Sequence, residues 1–513
     1  MKPGRICTLL AAVIAAGLFT NPALAEKPRA ARPQAAPAVA RAGVADSVAS
    51  AIAASGLRRS DIAVSIREVE TGRVLADVAG DQPMIPASNM KLLTTAAALQ
   101  MLGPDFRFRT RLLRDGDRLV VVGDGDPAFG DPALLEQVVY TDAKGNRQHG
   151  MSVDALVETW AAAVRAAGVT SLREVVVDDR IFDRQYTHPE WPANQLANAY
   201  CAEIAGLNFH TNLLHAYLGT SGGRAEITRW APAAPWLRVV NKSTARTDKK
   251  AAQSIWVGRT EDEETFTLNG NLRGASAEPV AVCVHDMPAF FARLLAERLR
   301  AAGVTVANAR SAGETDPKPT GTPVGPVVES PLATVVQRCN TDSQNLYAES
   351  LLKRIGAAAT GQPGGWGNGS AALAAAIDSR LGPGTAARSL TAVDGSGLSR
   401  GNKVTANLLT AWLRGIAHDP ALREPFLESL AVAGETGTVK KRFNDLDAGL
   451  VSVRCKTGYI NGVSCLSGYI GRPGQPPKYA FSVLCNDLTG DQDGVGKAKR
   501  LQERIVKELS GAL

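Results

Sequence analysis

Three short groupings in the chain have residue types and spacings suited to acyl transfer: Ser88-Asn89-Met90-Lys91, Ser343-Gln344-Asn345 and Lys456-Thr457-Gly458. Residues three apart on a helix share a face, so Lys91 is placed beside the Ser88 hydroxyl. A serine hydroxyl is a poor nucleophile until a neighbouring base takes its proton. Lys91 can be that base only when neutral, which requires burial or a nearby second cation. Lys456 is the obvious second cation. Ser88 also falls at a helix start, where the positive end of the dipole favours a developing anion.

Each grouping alone is weak: about one S-x-x-K and one S-x-N arise by chance in a chain this long, and K-T-G in about one such chain in ten. An isolated S-x-x-K reads more readily as a capped surface helix. Their order and settings carry the weight. The first opens a helix after Pro86, the second opens another helix, and the third is expected to end a strand before a hairpin. A rival nucleophile, Ser221 in Gly219-Thr220-Ser221-Gly222-Gly223, fits the G-x-S-x-G elbow, but that motif must join a strand to a helix. Here both flanks are strand-like, and the glycines read as a hairpin turn. His285-Asp286 reads as structural, at a strand end before a helix. Trp191 and Trp230 read as core or domain-contact residues.

The elements that must position these residues follow from periodicity. Apolar residues at i, i+4 predict a helix over 44–57, and alternation predicts strands over 62–66 and 74–78 with Thr71-Gly72 as the turn. A helix over 89–102 follows. From Phe106 the texture changes: strands within 107–122, a turn at 123–127, a helix over 153–167 and a strand over 174–178. Residues 213–276 read as short strands and turns. A helix over 287–302 precedes 311–331, where Pro317, Pro319, Pro323, Pro326 and Pro331 mark a domain crossing. Helical stretches over 332–355 and 371–381, strands over 450–456, 463–469 and 480–485, and a last amphipathic helix over 497–509 complete the chain. The pattern is one α+β domain, a helix-flanked antiparallel sheet, split by a long insertion.

The N-terminus reads as an address. Lys2 and Arg5 precede an apolar run, and Ala23-Leu24-Ala25 is a small-x-small cleavage site, so 1–25 is expected to be a signal peptide cut after Ala25. Residues 26–43, rich in Ala, Pro and Arg, read as a disordered spacer. The formal charge of +7 suits an anionic partner such as a cell wall. Lys440-Lys441-Arg442 is too short a basic run to indicate nucleic acid. Six cysteines remain after processing: Cys201, Cys283, Cys339, Cys455, Cys465 and Cys485. An exported protein can pair them, and Cys455 with Cys465 across a hairpin near Ile460 is one option; buried thiols are the other. There is no C-x-x-C and no H-E-x-x-H, so neither metal nor cofactor is expected.

Together the three motifs resemble the signature of penicillin-binding proteins and serine β-lactamases. The resemblance extends to one family, the D-Ala-D-Ala carboxypeptidases and endopeptidases of the penicillin-binding-protein-4 type (peptidase family S13). Ile85-Pro86-Ala87-Ser88, Leu102-Gly103-Pro104-Asp105-Phe106-Arg107-Phe108, Gly125-Asp126-Pro127, Pro189-Glu190-Trp191-Pro192, Asp394-Gly395-Ser396-Gly397-Leu398-Ser399 and Gly437-Thr438-Val439-Lys440-Lys441-Arg442 are similar to its landmarks. The resemblance implies a peptidase domain at 44–104 and 313–513. It implies a second domain inserted at 105–212 and 277–312, itself interrupted by a β-rich third at 213–276. It also implies roles: Ser88 as the acylated nucleophile, Lys91 as general base, Ser343 as proton relay, Asn345 orienting Lys91 and the substrate amide, and Lys456 stabilising charge. Thr457 would hold the substrate's terminal carboxylate, and Gly458 and Tyr459 would complete the substrate-binding strand. The Ser88 and Tyr459 N–H groups would form the oxyanion hole.

The implied substrates are peptidoglycan stem peptides or cross-links in the periplasm, with β-lactam antibiotics as covalent inhibitors. Alternatives are a β-lactamase or esterase on the same fold, or a non-enzymatic wall-binding scaffold. Family members carry an acid after P-x-W that reads a diaminopimelate amine. Here the stretch is Trp191-Pro192-Ala193-Asn194-Gln195, with no acid before Glu203, so that grip on the stem peptide is put in doubt. Oligomeric state and the balance of carboxypeptidase to endopeptidase action are not encoded in these motifs.

Overall fold

The computed structural model describes residues 43–513, apart from 142–145, 247–252, 260–263, 275 and 277. The expected signal peptide and all of the spacer except Gly43 lie outside the described residues. Among the described residues no helix is long and apolar enough to cross a membrane.

The two ends of the chain build one six-stranded antiparallel sheet. Its strand order is Val74–Val78, Ile62–Glu68, Tyr479–Cys485, Val463–Gly471, Ser452–Ile460 and Ala431–Val432. Ile62 pairs with Cys485 and Glu68 with Tyr479, so the first long strand is registered against the last. Side chains alternate between faces along a strand. Ile62, Val64 and Ile66 therefore enter one core with Phe481, Val483, Val453 and Cys455, under the terminal helices Val44–Ala53 and Gly494–Ser510. The opposite face carries Ala63, Cys465 and Tyr469 into a second core, and Ser65 there hydrogen-bonds Thr410 of the helix Ala406–Ala417 at 2.8 Å. This sheet is buried on both faces, which explains its runs of unbroken burial.

At the centre of the second core lies the helix Met90–Leu102, entered through a single 3-10 turn, Ala87–Asn89. Every residue from Met90 to Leu99 is buried. A helix apolar all round belongs in an interior rather than on a surface. Its few polar groups are bonded: Thr95 to the Lys91 carbonyl at 2.6 Å and Thr94 to the Gly395 carbonyl at 2.8 Å. Gly103, at φ +85°, ends the helix in a conformation that other residues rarely adopt.

The insertion leaves along Arg107–Asp115 and comes back along Val328–Pro331, and the two segments pair, Phe108 against Ser330. Beyond this doorway, Arg118–Val122, Ser171–Asp178 and Thr305–Ser311 add as a parallel set, covered by the helices Val153–Ala166 and Met287–Ala301. Pro323 and Pro331 sit on short edge strands, where a missing N–H is tolerated. In the β-rich stretch, Leu213–Ser221 pairs with Arg224–Ala231 on one side and with Val280–Cys283 on the other, so this sheet takes a strand from beyond residue 276.

The structure differs from the sequence reading at several points. The first helix stops at Ala53. The stretch over 332–355 is two helices, Leu332–Thr341 and Asn345–Thr360, because Ser343 between them stands at φ +63°, outside helical space. Lys456 does not end its strand. The strand runs on to Ile460, and the turn falls at Asn461-Gly462. Register also separates the two candidate partner cysteines: Cys455 faces Gly468, and Cys465 faces Gly458. All six described cysteines are free and buried.

Candidate active site

Where the Met90–Leu102 helix, the Ser343 break and the Ser452–Ile460 strand converge, the three motifs meet. Lys91 is fully buried, and its Nζ donates to Ser88 Oγ at 2.9 Å, Asn345 Oδ1 at 2.7 Å and the Ser396 carbonyl at 3.1 Å. Lys456, buried as completely, donates to Ser343 Oγ at 2.8 Å and to the Thr457 carbonyl at 2.9 Å. Asn89 ties the two groups together, its Nδ2 donating to the Lys456 carbonyl at 2.6 Å. Alternation explains Lys456: Cys455 enters the core beneath the terminal helices, so its neighbour must face the Lys91 side.

Two residues beside the reacting groups hold left-handed backbone: Ala87 at φ +45° and Ser343 at φ +63°. Neither is glycine, so each conformation costs energy that surrounding contacts must offset, as is common at functional sites. Ala87 is fully buried, and a side chain on Gly397 would strike its carbonyl at 1.8 Å, so the turn presenting Ser88 is clamped from behind. Gly458 is equally tight. A Cβ there would lie 2.6 Å from the Pro86 carbonyl, so the strand can pass the Ser88 turn only as glycine. Thr457 Oγ1 donates to Thr438 Oγ1 at 2.8 Å, and Tyr459 is exposed at the mouth.

Burial sets the electrostatics. It lowers Lys91 to about 8 against the opposing pull of Cys339, Glu349 and Asp394. Burial and then the charge of Lys91 lower Lys456 to about 7. The expected effect of a second cation thus falls on Lys456; desolvation, not Lys456, is what weakens Lys91 as an acid-holding group. Cys339 is itself pushed up to about 12 by burial and stays a neutral thiol near neutral pH. The carboxylates are therefore the negative charges that Lys91 feels.

An ammonium has three N–H donors and Lys91 has three acceptors. Once neutral it keeps two N–H groups and gains a lone pair. The Ser396 carbonyl and Asn345 Oδ1 can only accept, whereas the Ser88 hydroxyl can donate. The two N–H groups are thereby directed at the carbonyls and the lone pair at Ser88. Asn345 cannot be turned end for end without loss, because its Nδ2 donates to the Tyr200 carbonyl of the insertion at 2.8 Å.

Other residues singled out from sequence lie elsewhere. Ser221 pairs with Arg224 around Gly222 and Gly223, both at positive φ, so the G-x-S-x-G segment is a hairpin turn. His285 Nδ1 bonds Glu203 at 2.8 Å and Asp286 caps the helix Met287–Ala301. Glu203 also holds Arg259 and is buried, so it does not replace the missing acid at Gln195. Gln195 Oε1 accepts from the Tyr200 hydroxyl at 2.8 Å. Trp191 is buried and donates to Asp394 at 3.0 Å, fastening the insertion to the peptidase core. Trp230 is half-buried and packs on Phe266, ring centroids 5.3 Å apart. Sequence reasoning assigned no role to Asn89, Thr438, Glu349, Asp394 or the Tyr200 and Ser396 carbonyls. Glu349 left one signal, an acid four residues past Asn345 with Lys353 four residues further on, in a helix rich in apolar residues. Among the described residues no cluster of three or more His, Cys, Asp or Glu could hold a metal ion.

The family model described as D-Ala-D-Ala carboxypeptidase 3 (S13) family matches residues 44–507. A D-alanyl-D-alanine carboxypeptidase of Actinomadura sp. (strain R39) is 31% identical over 458 residues, covering 83% of this chain and 78% of that protein. The D-alanyl-D-alanine carboxypeptidase DacB of Haemophilus influenzae is 24% identical over 449 residues, covering 86% of this chain and 88% of its own. The crystal structure of penicillin-binding protein 4 from H. influenzae superposes with a TM-score of 0.69 at 22% identity, covering 88% of this chain and 96% of that one. A second crystal structure of that protein, complexed with a β-lactam, gives 0.64 at 21% identity over 87% of this chain and 96% of that one.

Proposed function

The chain belongs to the D-Ala-D-Ala carboxypeptidase 3 (S13) family and is a hydrolase of that class, and on this footing we propose that Ser88 is its acylated nucleophile. The observation that carries the proposal is the Lys91 Nζ, 2.9 Å from Ser88 Oγ and otherwise held by groups that only accept. Ser88 Oγ attacks the carbonyl carbon between the two D-Ala residues while its proton passes to Lys91. The resulting oxyanion is met by the Ser88 and Tyr459 N–H groups. Ser343, hydrogen-bonded to Lys456, delivers its proton to the departing amine and is refilled by the proton Lys91 took from Ser88; the C–N bond breaks, the acyl group stays on Ser88, and Lys91 is neutral again. Water, losing a proton to the neutral Lys91, then attacks the ester carbonyl; the bond from Ser88 Oγ to the acyl carbon breaks as Lys91 returns that proton to Ser88, and the shortened peptide leaves.

Thr457 and Lys456 are proposed to receive the terminal carboxylate. Its negative charge would draw the proton shared by the lysine pair toward Lys456, leaving Lys91 neutral when substrate is present. The neutral amide and phenol of Gln195 and Tyr200 support a grip on the stem peptide without an ion pair at that point. We further assign the peptidase unit to 44–104 and 313–513, the inserted unit to 105–212 and 277–312, and its β-rich interruption to 213–276. The basic n-region, apolar run and Ala23-Leu24-Ala25 support export to the periplasm, where peptidoglycan stem peptides are the substrate and β-lactams the covalent inhibitors.

Intact mass spectrometry after incubation with a penicillin tests this. Wild type should gain one adduct and Ser88→Ala none; no wild-type adduct, or one mapping to Ser221, overturns the proposal. Rapid loss of the adduct would indicate a β-lactamase instead. Digestion of purified muropeptides then separates loss of one D-Ala, carboxypeptidase action, from splitting of dimers, endopeptidase action.

A further inference from the structure

Glu349 lies on the Asn345–Thr360 helix, one turn beyond Asn345 and wholly buried. Its Oε1 accepts from the Ser396 N–H at 2.7 Å, and its Oε2 accepts from the Gly395 N–H at 2.9 Å and the Trp366 indole at 2.8 Å. It thus holds the N–H side of Ser396, the residue whose carbonyl, one peptide unit further on, accepts from Lys91. Thr94 holds the same segment from the other side through the Gly395 carbonyl. Asp394 holds the far side of the unit that carries this carbonyl, accepting from the Gly397 N–H at 2.7 Å, and also takes the Ser399 N–H at 2.6 Å, so Glu349 and Asp394 fix Ser396 from its two sides. A buried carboxylate satisfied by neutral donors leaves its charge to act on whatever cation is near. The cation facing it across the Ser396 peptide is Lys91.

We propose that Glu349 is a positioning residue for the base: it aims the Ser396 carbonyl that directs the Lys91 lone pair, and its charge sets the pH at which Lys91 releases its proton. The inference rests on the proposed role of Lys91 as the base that activates Ser88. The groups facing Glu349 are Lys91 on its helix, Asp394 on the loop, Lys353 on Glu349's own helix and the Cys339 thiol on the helix before. Burial and Asp394 push Glu349 up to about 7, and the three N–H donors oppose them. Glu349 is therefore ionised over the alkaline half of the working range, where Lys91 begins to lose its proton.

The test is the rate of Ser88 acylation by a fluorescent penicillin between pH 5.5 and 9.5, on the full exported chain. Glu349→Gln keeps the shape and removes the charge. Its acid-limb midpoint should move down by about 1 pH unit, as for loss of a nearby opposite charge, while the maximal rate falls about tenfold or more because the Ser396 peptide loses an acceptor. Glu349→Asp keeps the charge on a shorter arm, and should lose rate with the midpoint unmoved. Trp366→Phe deletes one donor to the carboxylate without removing it, and should move the midpoint down by less than Glu349→Gln. It serves if the glutamine variant does not fold. Unchanged midpoints in Glu349→Gln and in Trp366→Phe would overturn the inference, as would equal shifts in the Gln and Asp variants. Failure of the wild type to form any Ser88 adduct sinks the proposed function instead, so the two failures are distinguishable.

Discussion

The cleft and the seam where the insertion docks both bury lysines completely, and they treat the charge in opposite ways. In the seam, Lys353 Nζ meets the Asp183 carboxylate at 2.7 Å, the Gln185 carbonyl at 2.8 Å and the Trp366 ring at 3.9 Å from its centroid. In the cleft, Lys91 and Lys456 meet hydroxyl and carbonyl oxygens only. Burial disfavours every ammonium and lowers Lys353 too, but there the Asp183 carboxylate in contact opposes it, an opposition that neither cleft lysine receives from a touching carboxylate. The seam therefore keeps its cation as a fastening, and the cleft lets its cations go. The same seam logic repeats at Asp131, which takes Arg338 at 3.0 Å and the Tyr347 hydroxyl at 2.5 Å across the two parts.

The largest effect should come from removing Lys91, the proposed base. Lys91→Ala should lower the acylation rate by about 10²–10⁴-fold, the usual worth of a general base. Lys91→Arg should fail as badly, since a guanidinium keeps its charge and cannot accept the proton. An arginine variant acylating at more than a tenth of the wild-type rate would remove Lys91 from the base role. The pH profile sharpens the same point. Lys91 and Lys456 titrate as a pair with steps near 7 and 8. Below the first step both are charged and Lys91 has no lone pair; above the second both are neutral and the proposed carboxylate subsite loses its cation. Between the steps one proton remains, held by Lys91 in the free protein, and the bound carboxylate is proposed to draw it to Lys456; acylation should thus peak there and fall on both sides. A rate flat from pH 6 to 9 would contradict it.

Much of the cleft was legible in the sequence because its parts are local. S-x-x-K needs only helical spacing to bring Ser88 and Lys91 together, and the alternation that faces Lys456 inward is visible in the strand itself. The split α+β architecture follows from strands near both ends of the chain. What escaped was set by backbone conformation and by long-range register. The break at Ser343 falls in Asn340-Thr341-Asp342-Ser343, residues that favour caps and turns; the helix start at the motif was legible there, but the left-handed residue that ends the preceding helix was not. The turn after Ile460 decides which residue Cys455 opposes, and a shift of three positions abolishes a plausible pairing. The carbonyls of Ser396 and Tyr200 have no side-chain signature at all. Glu349 announces itself only once the helix around it is known to be buried.

In the seam, Asp131→Asn should be the costliest change. It strips the carboxylate from an Arg338 whose side chain is largely enclosed and from the Tyr347 hydroxyl, leaving a buried cation undercompensated. A loss of about 3 kcal/mol is expected, read by urea unfolding. Acylation by a penicillin in the folded fraction should be retained, since Asp131 touches neither Ser88 nor Lys91. Retained stability would mean that the seam is held by apolar packing rather than by its ion pairs.

The smallest effect, and the sharpest contrast, is expected at Lys353 itself. Lys353→Met keeps the stem against Trp366 and removes only the ammonium. Asp183 is 39% exposed, so water can take over its solvation, and the principal loss is the donor to the Gln185 carbonyl. That amounts to about 1–2 kcal/mol of stability, with the plateau acylation rate within about twofold of wild type, since Lys353 touches neither Ser88 nor Lys91 and the methionine stem keeps Trp366 packed. Lys456→Met removes a lysine of equal burial from the cleft and should instead collapse the alkaline side of the pH profile along with the rate. If the two methionine variants behaved alike, the presence or absence of a carboxylate partner would not be what separates a fastening lysine from a reactive one. Burial alone would then have to account for both.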